Sequence, residues 1–281
     1  MNRPHRLHRG LKIAAAFAVL GLSACADLSG VPPWGPELVA VTQSNRLVTF
    51  SHQAPGTLES ARPIGGVGGE AIVAIDYRPA DGRLYGLGLK GNLYLLDVAT
   101  GAATLKASLH PAPGDAYAGL SGRVFDIDFN PVDGQLAVVS NDGQNLRVDA
   151  DSGAVTSKPA FDPKAAGLVG IAYTTTPNGA FATTLYAING STREIDSLAP
   201  AGGAGVVSVG AIGAAFGSYA GFDIKGNGAA GTAYAALSVP DSTASKLYLV
   251  ALGSGTAKPI GTIGDGGEKI RSLAIRGSLG S

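Results

Sequence analysis

One motif recurs along the chain at a spacing that few folds accommodate. Ala74-Ile75-Asp76-Tyr77-Arg78-Pro79 returns as Asp126-Ile127-Asp128-Phe129-Asn130-Pro131. Weaker copies stand at Gly170-Ile171-Ala172-Tyr173, Gly221-Phe222-Asp223-Ile224 and Ser272-Leu273-Ala274-Ile275. Their third residues fall at positions 76, 128, 172, 223 and 274. The steps are about 44–52 residues, the length of one propeller blade.

The copies are followed by the same events. Turns at Ala80-Asp81-Gly82 and Val132-Asp133-Gly134 are strong hairpin signals. An apolar strand follows at Leu84–Leu87, Leu136–Val139, Leu185–Ile188 and Ala233–Ala236, and a third at Leu93–Leu96, Leu146–Asp149, Glu194–Asp196 and Leu247–Val250. A glycine turn then leads to a fourth strand at Ala102–Leu105, Ala154–Thr156 and Thr256–Ile260. No amphipathic helical stretch intervenes, so the chain reads as all-β.

The two ends complement each other. Leu38–Val41, Leu47–Phe50 and Leu58–Ile64 match second, third and fourth strands with no first strand before them. Ser272–Arg276 is a first strand with nothing after it. Together they complete one blade, and such closure removes exposed sheet edges. The expectation is an all-β propeller of five four-stranded blades, one domain over residues 37–277. A sixth blade would have to hide in a divergent stretch, and a β-sandwich leaves the complementary ends unexplained. Ring closure also accounts for the 42 glycines among 281 residues. Many tight turns need residues tolerant of positive φ, and inner strands crowd near an axis.

Residues 1–24 read as an address rather than structure. Arg3, Arg6, Arg9 and Lys12 precede an apolar run, Ile13–Leu22, too short for a membrane-spanning helix of about twenty residues. It fits a signal-peptide core. The run ends in Leu22-Ser23-Ala24-Cys25, which resembles a bacterial lipobox, and Cys25 is the chain's only cysteine. Cys25 is thus the expected lipidation site, with 1–24 removed and 25–36 forming a Pro-rich tether. Ala26, where an aspartate favours inner-membrane retention in the lipoproteins this segment resembles, points to the outer membrane.

Composition excludes several functions. A single cysteine rules out a disulfide framework and a multi-cysteine zinc site. After Cys25 only His52 and His110 remain, too few for a three-histidine centre. Lys+Arg equals Asp+Glu at 21 each. Residues 1–24 carry four of those bases and no acid, so the chain from Cys25 has a net charge of −4. No nucleic-acid partner is expected.

The connections divide by length. First-to-second and third-to-fourth turns are tight and share one face of the ring. Long connections at Gly65–Ala71, Ser108–Gly122, Ser157–Gly167 and Ala211–Ser218, with the loops Ser140–Gln144 and Pro240–Ser245, share the other. Long loops on a rigid scaffold usually carry function. Asn141, Asp142, Gln144 and Asn145 form the most polar such loop and, with Arg123, are the candidate ligand-binding residues. The opposing interpretation is that Asn-Asp-Gly simply makes a turn. Arg123 and Arg147 are also candidate partners for nearby carboxylates, and Asp115 is expected to be solvated.

Asp76, Asp128 and Asp223 share one repeat position. Carboxylates near an axis suggest a glycosidase pair, but equivalence by repeat favours a structural role in which they accept backbone N–H bonds between blades. Asp149-Ala150-Asp151 lacks the glutamate of a calcium loop and reads as a hairpin turn.

Val139-Ser140-Asn141-Asp142-Gly143-Gln144-Asn145-Leu146-Arg147, with Phe125–Pro131 upstream, Asp151–Val155 downstream, Asp76–Pro79 and Leu84–Leu87, resembles a bacterial domain-of-unknown-function family, number 4394. The resemblance covers roughly residues 37–276 and is weaker after about residue 190. It implies a secreted propeller-like domain and brings no activity. The functional expectation is a lipid-anchored envelope module that binds a protein, peptide or glycan without catalysis or cofactor. The alternative is a glycan- or lactone-hydrolysing enzyme with a divalent cation at the axial mouth. Carboxylates converging on a water-filled mouth, with strongly perturbed pKa values, would favour the enzyme.

Overall fold

The computed structural model describes Met1 and residues 37–161, 167–174, 183–198, 205–226 and 231–276. The expected leader beyond Met1, the lipidation residue Cys25 and the tether to residue 36 lie outside them. Among the described residues no helix is long and apolar enough to cross a membrane.

The chain forms a five-bladed propeller. Among the described residues, twenty-one strands, β1–β21, make five sheets, antiparallel but for one parallel pair. The first blade is β4(Ile72–Tyr77), β5(Leu84–Gly88), β6(Asn92–Leu96) and β7(Ala103–Ser108). The second is β9(Phe125–Phe129), β10(Leu136–Ser140), β11(Asn145–Val148) and β12(Ala154–Ser157). The third is β13(Leu168–Tyr173), β14(Leu185–Asn189), β15(Glu194–Leu198) and β16(Val206–Ala211). The fourth is β17(Ala220–Lys225), β18(Thr232–Ser238), β19(Ser245–Val250) and β20(Ala257–Thr262). The fifth joins the ends of the domain: β21(Ile270–Ile275) pairs with β1(Glu37–Thr42), followed by β2(Arg46–Ser51) and β3(Leu58–Pro63). The ring is therefore closed as the complementary ends require. The inner strands β4, β9, β13, β17 and β21 neighbour one another around the axis.

The recurrent motif occupies one register on every inner strand. Asp76 faces Tyr85, Asp128 faces Ala137, Ala172 faces Tyr186, Asp223 faces Tyr234 and Ala274 faces Val39 across each first hairpin. Because both faces of an inner strand meet a neighbouring blade, these strands are buried throughout rather than alternating. Five hydrophobic clusters result, and each straddles one gap between blades. Phe125, Phe129 and Tyr85 fill the gap between the first and second blades. The Tyr85 and Phe129 rings meet edge to face at 5.1 Å, and burying each such side chain contributes about 1.5–3 kcal/mol.

Adjoining blades are also stitched by backbone. The exit of one blade pairs in parallel with the outer strand of the next, as Gly65 does with Ala102. In the second blade this exit becomes a fifth strand, β8(His110–Pro111), against β12. The chain approaches so closely there that the third-to-fourth turn demands glycine. At Gly153, with φ +86°, a Cβ would lie 2.4 Å from the Ser108 carbonyl oxygen. Gly101 and Gly255 meet Pro63 and Gly210 in the same way, at 2.4 and 2.3 Å. Part of the glycine excess is thus a repeated requirement of blade stitching.

Candidate functional site

The axis has two levels built by the same five strands. At the inner level stand Asp76, Asp128 and Asp223, all buried, each offering a carboxylate oxygen within 4.8 Å of the others. No basic side chain is among their hydrogen-bond partners. Backbone N–H groups are. Inner strands have no partner on their axial side, so their N–H groups need acceptors.

The carboxylates supply them across the blade gaps. Asp76 Oδ2 accepts from Phe129 N at 2.7 Å, and Asp223 Oδ2 from Ile275 N at 2.6 Å. The Tyr173 backbone N–H favours the charged form of Asp128. Two inner strands follow an alanine, Ala172 or Ala274, at this position of the preceding blade. In those two the strand's own aspartate takes over: Ile224 N bonds Asp223 Oδ1 at 2.6 Å and Tyr77 N bonds Asp76 Oδ1 at 2.7 Å. Asp76 and Asp223 thereby satisfy four backbone donors. One step toward the loop face, Asp126 accepts from Ile171 N and from Ser272 Oγ, both at 2.9 Å, and Ser272 Oγ accepts from Ile75 N.

Burial and mutual repulsion perturb these groups. Desolvation first, then the neighbouring carboxylates, push Asp76 and Asp128 far above the usual carboxylate range. Desolvation does the same to Asp126, and it raises Asp223 to about 7. Convergence and perturbed pKa values, two marks of an enzyme site, are thus present, but the three carboxylates are buried, with 5–7% of each residue exposed. The structural role expected from repeat equivalence matches its hydrogen bonds. A calcium ion wants six to eight oxygens. Of the three carboxylates close enough to share a cation, Asp76 and Asp223 already accept from N–H donors.

Above this level the strands open on the loop face. A cavity of about 220 Å³ is lined by Ala71, Val73, Leu89, Arg123, Val124, Phe125, Tyr219 and Arg271. Two arginines, Arg123 and Arg271, stand in this lining among apolar and aromatic residues. Among the described residues, neither Arg123 nor Arg271 has a carboxylate within ion-pair distance.

The candidate residues of the polar loop sit beside this mouth. Asn141 Oδ1 accepts from the backbone N–H groups of Arg123 and Val124, at 2.8 and 2.9 Å. Gln144 Oε1 accepts from Ser121 N, and its Nε2 donates to the Gly119 carbonyl, both at 2.9 Å. Asn145 is buried, donating to the Pro159 carbonyl and accepting from Arg147. Asp142 is exposed. Asn141 and Gln144 therefore strap the segment that carries Arg123, and only Arg123 of the five lines the mouth. Arg147 bonds Asn145 and the Leu146 carbonyl instead of a carboxylate. Asp115, expected to be solvated, clamps its long loop to Ser157 through N and Oγ at 2.8 Å, and those bonds lower its pKa. Asp149 makes the expected hairpin turn, its Oδ1 accepting from Asp151 N and Ser152 N.

Two mouth residues escaped the sequence reading, Tyr219 and Arg271. A signal for Arg271 existed. It occupies the repeat position filled by Val73, Phe125, Val169 and Ala220, and a charge replacing an apolar side chain breaks the symmetry of the array.

The fold has solved relatives. A structure titled as a nidogen/laminin complex aligns with a TM-score of 0.54 at 10% identity, covering 88% of this chain and 100% of that one. A Bacteroides thetaiotaomicron protein of unknown function aligns at TM-score 0.44 and 17% identity, covering 78% of this chain and 57% of that one. A protein of the same organism, described as an auxiliary nutrient binding protein, aligns at 0.43 and 14%, over 70% of this chain and 55% of that one. No curated protein matches the chain significantly. The model of a family described as a domain of unknown function, DUF4394, matches residues 46–274, and the chain belongs to that family.

Proposed function

We propose that this protein is a non-catalytic binding module of the bacterial envelope, a propeller that takes its ligand at the axial mouth of the loop face. The observation that carries this reading is the division of the axis. The perturbed carboxylates are buried and two of them, Asp76 and Asp223, accept from backbone donors, whereas the mouth is lined by apolar residues and two arginines with no carboxylate among them. A glycosidase needs two carboxylates at the substrate, and the mouth lining offers none.

Supporting anchorage is the lipobox-like Leu22–Cys25. In this reading Cys25 carries the lipid, the tether leads to the propeller, and the partner is an envelope protein, peptide or glycan. Two or more acyl chains hold such a protein stably on a membrane. Cys25→Ala should shift the protein from the membrane to the soluble fraction; unchanged membrane association would refute the anchor. The binding role is tested by Leu89→Trp. Leu89 is 48% exposed and lines the mouth, so the larger ring obstructs the cavity without entering the core. A ligand found by thermal shift among glycans, peptides and envelope extracts should lose its effect in that variant.

The second reading, a glycan- or lactone-hydrolysing enzyme holding a divalent cation, draws on the 4.8 Å proximity of Asp76, Asp128 and Asp223. Their burial counts against it, because a cation there would not touch a substrate at the mouth.

A further inference from the structure

Resting on the mouth as the binding site, the inference concerns what the mouth takes. We propose that it binds a small organic anion, a carboxylate carried on an apolar body, through Arg123 and Arg271.

Three observations lead there. First, both arginines line one cavity and neither is neutralised by a carboxylate among the described residues. A guanidinium has five donors in a fork that matches a carboxylate. Arg271 commits one of them to the Ile72 carbonyl, at a long 3.4 Å. Second, the positive charge is local. The chain from Cys25 is net acidic, and Arg271 stands where the other four repeats are apolar. An unpaired cation at an apolar repeat position costs desolvation that a bound anion would return. Third, the remaining lining is hydrophobic or aromatic: Val73, Leu89, Val124, Phe125 and Tyr219. Such walls lower the local dielectric and strengthen the ion pair. At about 220 Å³ the cavity is smaller than typical drug-sized sites, which begin at roughly 300 Å³. It therefore suits a ligand the size of a substituted benzoate.

Arg123 is held for this task. Asn141 takes its backbone N–H and that of Val124, while Gln144 ties the preceding residues. Asn141 and Gln144 are positioning residues here.

The test uses the full protein purified in detergent, titrated by calorimetry with benzoate and with benzamide, its neutral counterpart. Benzoate should bind, and benzamide should bind at least about tenfold more weakly, the ratio expected when hydrogen bonds to a charged group are lost. Arg123→Gln and Arg271→Gln should each weaken benzoate about tenfold or more, with unliganded melting temperatures unchanged. Equal binding of benzoate and benzamide, benzoate binding that survives both arginine changes, or no benzoate binding would each overturn the inference. A neutral oligosaccharide that binds and is blocked by Leu89→Trp would overturn the anion while sparing the mouth. If every ligand found is indifferent to Leu89→Trp, the mouth reading itself falls.

Discussion

Asp126 and Arg123 lie three residues apart on one inner-strand segment, yet they use charge in opposite ways. The aspartate is buried and its oxygens take Ile171 N and Ser272 Oγ. The arginine is exposed and has no carboxylate partner among the described residues. The difference follows from what the backbone leaves unsatisfied at each level. Deep in the ring, the axial N–H groups of five inner strands need acceptors, so polar side chains there are consumed by the fold. At the mouth the polar loop side chains satisfy the backbone, and the arginines remain available. Perturbed pKa values usually mark a functional site; here the most perturbed groups serve the architecture and the functional candidates stand above them.

Substitutions that empty the inner level should have the largest effect. Asp76→Ala removes the carboxylate that accepts from Phe129 N and Tyr77 N. At about 1–3 kcal/mol for each buried unsatisfied donor, it should cost about 2–6 kcal/mol in denaturant unfolding. That is a large part of the 5–15 kcal/mol typical of a domain. A loss below about 1 kcal/mol would remove the structural role of the carboxylates.

The same level should make stability depend on pH. The folded-state pKa of Asp223 is raised from 3.8 to about 7, so between these values the folded protein holds a proton that the unfolded chain has released. Stability should therefore be greatest at low pH within this window and decline as pH rises through it, by about 1.4 kcal/mol per pH unit for each such group. Asp76, Asp126 and Asp128, also raised, act in the same direction. Asp223→Asn, which cannot ionise, should flatten the slope; an unaltered slope would assign it to other groups.

Blade stitching predicts a smaller effect. Gly153→Ala places a Cβ against the Ser108 carbonyl and requires an unfavourable φ. It should destabilise by about 1–3 kcal/mol, lowering the melting temperature. At the mouth the expectation is smallest. Arg123→Gln should change stability by less than about 0.5 kcal/mol. A larger loss would make Arg123 part of the scaffold and erase the contrast between the two levels.

Much of the ring was legible in the sequence. The inner-strand motif, the Asp-Gly hairpins and the complementary termini rest on local turn chemistry and period, and they specify five blades. β16 was not identified, because no Ser-Gly turn of the kind before β12 and β20 announces it. β8 was not either: a two-residue strand paired in parallel through its backbone leaves no side-chain pattern. Of the site, Arg123 was named alongside the polar loop Ser140–Asn145. Tyr219 and Arg271 were not, since they meet Arg123 only when the fourth and fifth blades close on the second. Asn141 and Gln144 were seen as polar, but their consumption by neighbouring N–H and carbonyl groups depends on where the long loop before β9 returns.

The central claim is that the buried carboxylates serve the backbone and hold protons, leaving the mouth to bind. Melting temperature measured from pH 5 to 9, with and without millimolar calcium, tests it most directly. The account predicts a melting temperature that falls as pH rises and that calcium does not restore. Calcium stabilisation that grows with pH and disappears in Asp223→Asn would contradict it and make the inner level a cation site.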